Sequence, residues 1–267
     1  MKLIGKILLG IILLVVIAAV LVLGFLGFIP GVSALFGANK PRDLGVKYTE
    51  ADLQEIRTKT QVKYLVLPDT QEPISTRQFS GSRAVTGDFS SAQLTATLNN
   101  QPWKLWPYKN VQLKLNGDGS GEISGALVKN RVPAYAASIG VPQKASEMAM
   151  KFLPGDTVFY VKMKAALADN KVSLFEPERL EIGRLPVPLG PILALGRFSP
   201  IGDVFAQDID ELTGELAKVS NKEALIISYI NSRLSSAFGS FYAKKAYATK
   251  DSLHFEGTLP ETISYTP

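Results

Sequence analysis

Residues 111–128 read VQLKLNGDGSGEISGALV, and this stretch decides the architecture. Val111, Leu113 and Leu115 alternate with polar residues, which places them on one side of a strand. Asn116-Gly117-Asp118-Gly119 supplies turn residues, and Ile123 to Val128 returns as a second strand. A hairpin makes the sheet antiparallel. The same reading predicts a hairpin from 157–166 and 171–182, joined at Ala168-Asp169-Asn170, and another from 241–249 and 253–259. Residues 77–88 read as one further strand.

Helix starts occupy the spaces between. Thr49 stands three residues before Asp52, and Ser90 three before Gln93. In such a capping box the hydroxyl and the acid or amide satisfy backbone donors that a helix start leaves unpaired. Ser220 and Glu223 repeat the pattern more loosely. The spacing predicts helices over 50–60, 91–100 and 221–237. Apolar residues three and four apart predict two more, over 204–218 and 142–153. The expected fold class is α+β: a curved antiparallel sheet with helices packed on one face, enclosing an elongated hydrophobic groove.

Working outward to the amino terminus, Ile7 to Ile29 contains no charged residue. At about 1.5 Å per residue the run reaches roughly 34 Å, enough for a bilayer's hydrocarbon core. A cleaved signal peptide is the rival reading, since Val32-Ser33-Ala34 resembles a cleavage site, but its apolar region would be shorter. The expectation is a retained anchor: a short cytoplasmic tail over 1–6, a transmembrane helix over 7–29, a Gly- and Pro-rich linker over 30–47, and an extracytoplasmic domain over 48–267. Lys2 and Lys6 favour a cytoplasmic amino terminus, although Lys40, Arg42 and Lys47 follow the span closely.

Composition narrows the chemistry. The 267 residues include no cysteine and one histidine, with a formal charge of +5. No disulfide, thiol nucleophile, thiolate zinc site or His-rich metal site can form within one chain. The charge is too small to indicate a nucleic-acid partner. Outside the run 7–29 the hydrophobic fraction is about 42%, ordinary for a folded domain.

Residues 175–188 (FEPERLEIGRLPVP), 257–260 (GTLP) and the capped helix feeding a hairpin together resemble small membrane-anchored bacterial envelope proteins of the YpmS-like and LmeA-like families, which are similar to tubular lipid-binding folds. In outline the resemblance covers 48–67, 85–128 and 157–260; residues 129–155 have no counterpart. It implies an N-terminal anchor and a role with lipids or in envelope maintenance. It supplies no catalytic residues.

Asn116, Asp118 and Ser120 resemble the start of a calcium loop, but Leu127 stands where a bidentate Glu is needed. A solvated turn is the expectation. His254 lies between Leu253 and Phe255, so alternation points it to the other face. Glu176, Glu178 and Glu181 read as a solvated strand edge, with Glu181 on the opposite face from the first two. No Walker loop, dinucleotide fingerprint or Gly-x-Ser-x-Gly elbow occurs, and no cofactor is expected.

Two uncharged or aromatic–basic stretches stand out as candidate membrane- or ligand-contact sites. Trp103, Lys104, Trp106, Tyr108 and Lys109 combine rings with cations, as at a membrane interface. Leu189, Ile192 and Leu193 lie in a twelve-residue stretch without charge. The function read from these features is a non-enzymatic, single-pass membrane protein binding a lipid or other elongated apolar ligand, or acting in envelope maintenance. An interaction module for an envelope protein partner is the alternative, and an anchored Ser/His or Ser/Lys hydrolase the third reading.

Overall fold

The computed structural model describes residues 14, 16–27, 29–70, 72–138, 146–147, 150–151, 155–186, 231 and 241–267. The chain is α+β with a curved, half-barrel antiparallel sheet. Among the described residues, besides the helical stretch 16–25, it has helices α1 (Pro30–Leu35), α2 (Glu50–Thr60), α3 (Ser91–Asn99) and α4 (Val132–Ser138). Its strands are β1 (Lys63–Val66), β2 (Arg77–Ser80), β3 (Arg83–Ser90), β4 (Tyr108–Leu115), β5 (Gly121–Leu127), β6 (Thr157–Ala168), β7 (Lys171–Ile182), β8 (Leu185–Pro186), β9 (Tyr242–Ala248), β10 (Ser252–Leu259) and β11 (Thr262–Tyr265).

The β6–β7 hairpin is the spine. Asp169 and Asn170 both have positive φ, the conformation a tight two-residue hairpin turn demands. Along one side of β6, β5 pairs with residues 157–163 and β9 with residues 166–168, while β7 takes the other side. The sheet therefore forks. One branch is β5–β4, and the other is β9–β10–β3.

Helix α3 links the two branches. Two of the three expected capping boxes form, Thr49 with Asp52 opening α2 and Ser90 with Gln93 opening α3, and the third, Ser220 with Glu223, lies outside the described residues. From Ser90 at the end of β3, α3 runs along the open edge of β4. Ser91 Oγ accepts from the backbone N of Leu115, Thr95 Oγ1 accepts from that of Leu113, and Asn99 Oδ1 accepts from that of Val111. Three polar residues four apart on one helix face thus stand in for a neighbouring strand and cover an edge that would otherwise invite pairing. The main core lies beside this helix, where Leu53 and Ile56 of α2 and Ala96 of α3 meet Val85, Phe89, Ala243, Ala246 and Phe255.

The strand expected over 77–88 is two strands in two sheets. Gly81, at φ +70°, turns the chain between β2 and β3. The partner strand breaks at the same level, between β10 and β11, so β3 pairs with β10 and β2 with β11. Strand β1 joins β11 in parallel to complete a small three-stranded sheet that the alternation pattern did not predict.

One further expectation changes. Residues 40–47 do not hang as a linker: Leu44 and Val46 donate backbone N–H groups to Gln112 Oε1, and Arg42 reaches across to β7. Among the described residues, no helix is long and apolar enough to cross a membrane. Residues 16–25 are helical, and the rest of the expected span, 7–13, lies outside the described residues. So do the helices expected over 204–218 and 221–237, apart from Asn231, whose Oδ1 accepts from the backbone N of Val172. In the helix expected over 142–153, the described residues Ser146, Glu147, Met150 and Lys151 are helical.

Candidate functional site

The aromatic–basic loop is built into the domain. Trp103 is buried and donates its indole N–H to Thr76 Oγ1 at 3.0 Å. Trp106 donates to the carbonyl of Leu98 at 2.8 Å, and its ring meets Tyr108 and Tyr135 edge-on. Burial pushes the Tyr108 phenol above its ordinary pKa. Lys104 pairs with Asp69, and Lys109 with Asp156. Of these five residues Trp103 is buried, Lys104, Trp106 and Tyr108 are half-buried, and Lys109 is exposed. Leu189, Ile192 and Leu193 lie outside the described residues.

The sheet's two faces differ in an unexpected sense. Leu113, Ile123, Val161 and Leu180 lie in register across β4, β5, β6 and β7 on one face and are half-buried. Gln112, Ser124, Tyr160 and Glu181 form the neighbouring row on the other face. This polar row is the more deeply buried, because residues 41–46 lie over it. Glu181 is fully buried, with its carboxylate accepting from Arg42 Nε at 3.0 Å and Arg42 Nη2 at 2.8 Å, while Arg179 adds an ion pair. Arg42 also donates its backbone N–H to Ser124 Oγ and stacks over the Tyr160 ring. Burial and the Glu122 carboxylate push the Tyr160 phenol up to about 12. The solvated edge expected for Glu181 is thus corrected. A β-bulge between Lys162 and Met163 resets the alternation, so Glu176 and Glu181 fall on the same face, opposite Lys164 and Tyr160.

The other motifs resolve locally. Asp118 Oδ1 accepts from the backbone N and the hydroxyl of Ser120, so its oxygen is engaged within the β4–β5 turn. His254 faces away from the core and pairs through Nδ1 with Asp88 Oδ1 at 2.9 Å. Among the described residues no three His, Asp or Glu side chains cluster as a metal site.

A cleft of about 230 Å³ opens where the C-terminal ends of α2 and α3 approach the small sheet. Leu53, Ile56, Leu259 and Ile263 contribute apolar surface, and Arg57, Tyr64 and Arg77 contribute polar groups. The Arg77 guanidinium stacks against the Phe79 ring at 4.7 Å and the Trp103 ring at 5.0 Å. Burial lowers its pKa and raises that of Tyr64. Sequence reasoning missed this cleft. Arg77 comes from β2, Arg57 from α2 and the apolar floor partly from the C-terminus, and no periodicity joins them.

The apolar helix is fixed to the same domain. The carbonyl of Leu26 accepts from the backbone N of Arg184, and a Cβ at Gly183 would lie 2.2 Å from that oxygen. Beyond this joint, Val16, Ile17, Leu21, Val22 and Phe25 all point outward and are exposed.

No protein-family model, no curated protein and no solved structure matches the chain.

Proposed function

We propose that the chain is a single-pass membrane protein whose α+β domain lies outside the cytoplasm and binds a lipid or other elongated apolar ligand without catalysing a reaction. One observation carries the reading: the outward apolar side chains of residues 16–25, in a helix that runs into the domain through the Leu26–Arg184 hydrogen bond. A contiguous apolar surface of this kind needs a cover, and the uncharged run 7–29 has the length a bilayer provides. That joint would hold the curved sheet near the headgroups, where apolar ligands are concentrated. The half-buried row from Leu113 to Leu180 supplies apolar surface on that sheet. Resemblance to the anchored envelope families points the same way.

The test uses full-length protein made in intact cells with a cleavable tag after Pro267. Digestion by protease added outside, followed by native mass spectrometry of the purified chain, should show an external tag and a bound lipid. A tag cleaved only after lysis defeats the topology, and a clean apo mass defeats the ligand assignment.

A second reading rests on β1, the outer strand of the small sheet, whose Leu65 and Val66 are exposed. An unpaired apolar edge of this type suits strand addition by another envelope protein. A stoichiometric protein partner lost on Leu65→Lys, with no bound lipid, would favour it.

A further inference from the structure

Arg77 is a half-buried cation without an anion. Among the described residues no hydrogen bond or ion pair holds its guanidinium; the rings of Phe79 and Trp103 stack on it, and the Tyr64 and Tyr135 phenols lie within electrostatic reach. Cation–π stacking offsets part of the cost of burial but satisfies none of the five N–H donors. Arg57, exposed on the last turn of α2, lines the same cleft and is likewise unpaired among the described residues. None of the cleft-lining residues is acidic. Two cations facing one opening above an apolar floor are an incomplete arrangement, and an oxyanion completes it.

We propose that this cleft binds the anionic group of a small amphiphile, a phosphate monoester whose apolar body rests on Leu53, Ile56, Leu259 and Ile263. A guanidinium fork matches phosphate oxygens with two parallel hydrogen bonds, and stacking on two rings holds the plane of Arg77 ready for them. The C-terminal ends of two helices would by themselves repel an anion. Here their carbonyls are engaged: Asn100 Nδ2 donates to the carbonyl of Ala96, Gln101 Nε2 to that of Thr97, and the backbone N of Gln61 to that of Arg57. Arg57 offsets the remaining dipole of α2. The cleft volume of about 230 Å³ accommodates a headgroup and a short stretch of chain rather than a whole lipid. The site is separate from the sheet row discussed above and does not depend on the membrane reading.

Trp103 provides the reporter, because its ring is stacked on Arg77. Full-length protein in an uncharged detergent is titrated with butyl phosphate, inorganic phosphate and butanol while tryptophan emission is followed. Butyl phosphate should give a saturable change, inorganic phosphate a weaker one and butanol none. Arg77→Gln should weaken butyl phosphate by about tenfold or more, the loss of a charge-assisted pair. Arg57 is exposed, so Arg57→Gln keeps the fold and should weaken binding about threefold even if the Arg77 variant is unstable. Competition by vesicles containing phosphatidic acid would support a lipid headgroup as the source; undiminished butyl phosphate binding beside them would support a soluble ester. No saturable change, or unchanged affinity in Arg57→Gln together with Arg77→Lys, overturns the site. Inorganic phosphate binding as tightly as butyl phosphate overturns the amphiphile.

Discussion

Replacing Arg42 by methionine tests how residues 41–46 are held to the sheet. In the native chain Arg42 donates to both oxygens of Glu181, at 2.9 Å and 2.8 Å from Nη2 and 3.0 Å from Nε. Glu181 is 0% exposed and the Arg42 side chain 35% exposed. Breaking a fully buried pair costs about 3–5 kcal/mol, because a charge is left stranded, whereas an exposed pair is worth roughly 0–1 kcal/mol. Arg42 is partly solvated, and Arg179 stays 2.5 Å from Glu181 Oε1 after the change. Both reduce the penalty, to about 2–3 kcal/mol, or roughly 5–10 °C in Tm for a domain of this size. Urea unfolding followed by tryptophan emission measures the loss. Amide exchange at Leu44 and Val46 reports whether the segment lifts away. Adding Glu181→Leu to Arg42→Met should recover part of the loss, since the stranded carboxylate is then gone. A cost below about 0.5 kcal/mol, or costs that simply add in the double variant, would refute the argument. Glu181 would then be hydrated and residues 41–46 a loose tether.

Three more outcomes follow from named contacts. Asn99→Ala leaves both backbone groups of buried Val111 unpaired, and should cost about 2–4 kcal/mol in urea unfolding; Thr97→Ala on the same helix should cost much less. Hydrogen bonds from Thr49 hold the Asp52 carboxyl below its ordinary pKa. A depressed pKa contributes stability above about pH 4 that is lost as pH falls through the folded-state value. The stability difference between wild type and Thr49→Ala should therefore shrink in acid; a pH-independent difference contradicts the cap. Gly183→Ala would push a methyl group against the carbonyl of Leu26. The Arg184 amide should then exchange rapidly, and unchanged protection would show that the joint tolerates the methyl.

The readable parts of this chain depend on neighbours close in sequence. Thr49 with Asp52 and Ser90 with Gln93 lie three residues apart, so their caps follow from local geometry. Asp169-Asn170 can adopt positive φ, and 157–182 folds back on itself. Where these signals failed, a distant partner intervened. Glu181 looked solvated because Arg42, 139 positions earlier, is invisible to alternation. Gly81 looked like part of one strand because the two sheets it divides are completed by the far C-terminus. The partners of Trp103 and Trp106, which are Thr76, Leu98 and Tyr135, could not be placed by spacing either.

By itself, then, the sequence determined the starts of α2 and α3, the three hairpins and the antiparallel α+β character, along with an uncharged N-terminal run long enough for a bilayer. Only the tertiary structure decided that the polar row from Gln112 to Glu181 is buried beneath residues 41–46, that Trp103 is packed inward, and that Arg57 and Arg77 share an opening without an acid. The physical reason is the range of the forces involved. Capping and turn preferences act over three or four residues, whereas burial and charge pairing depend on which surfaces the completed fold brings together.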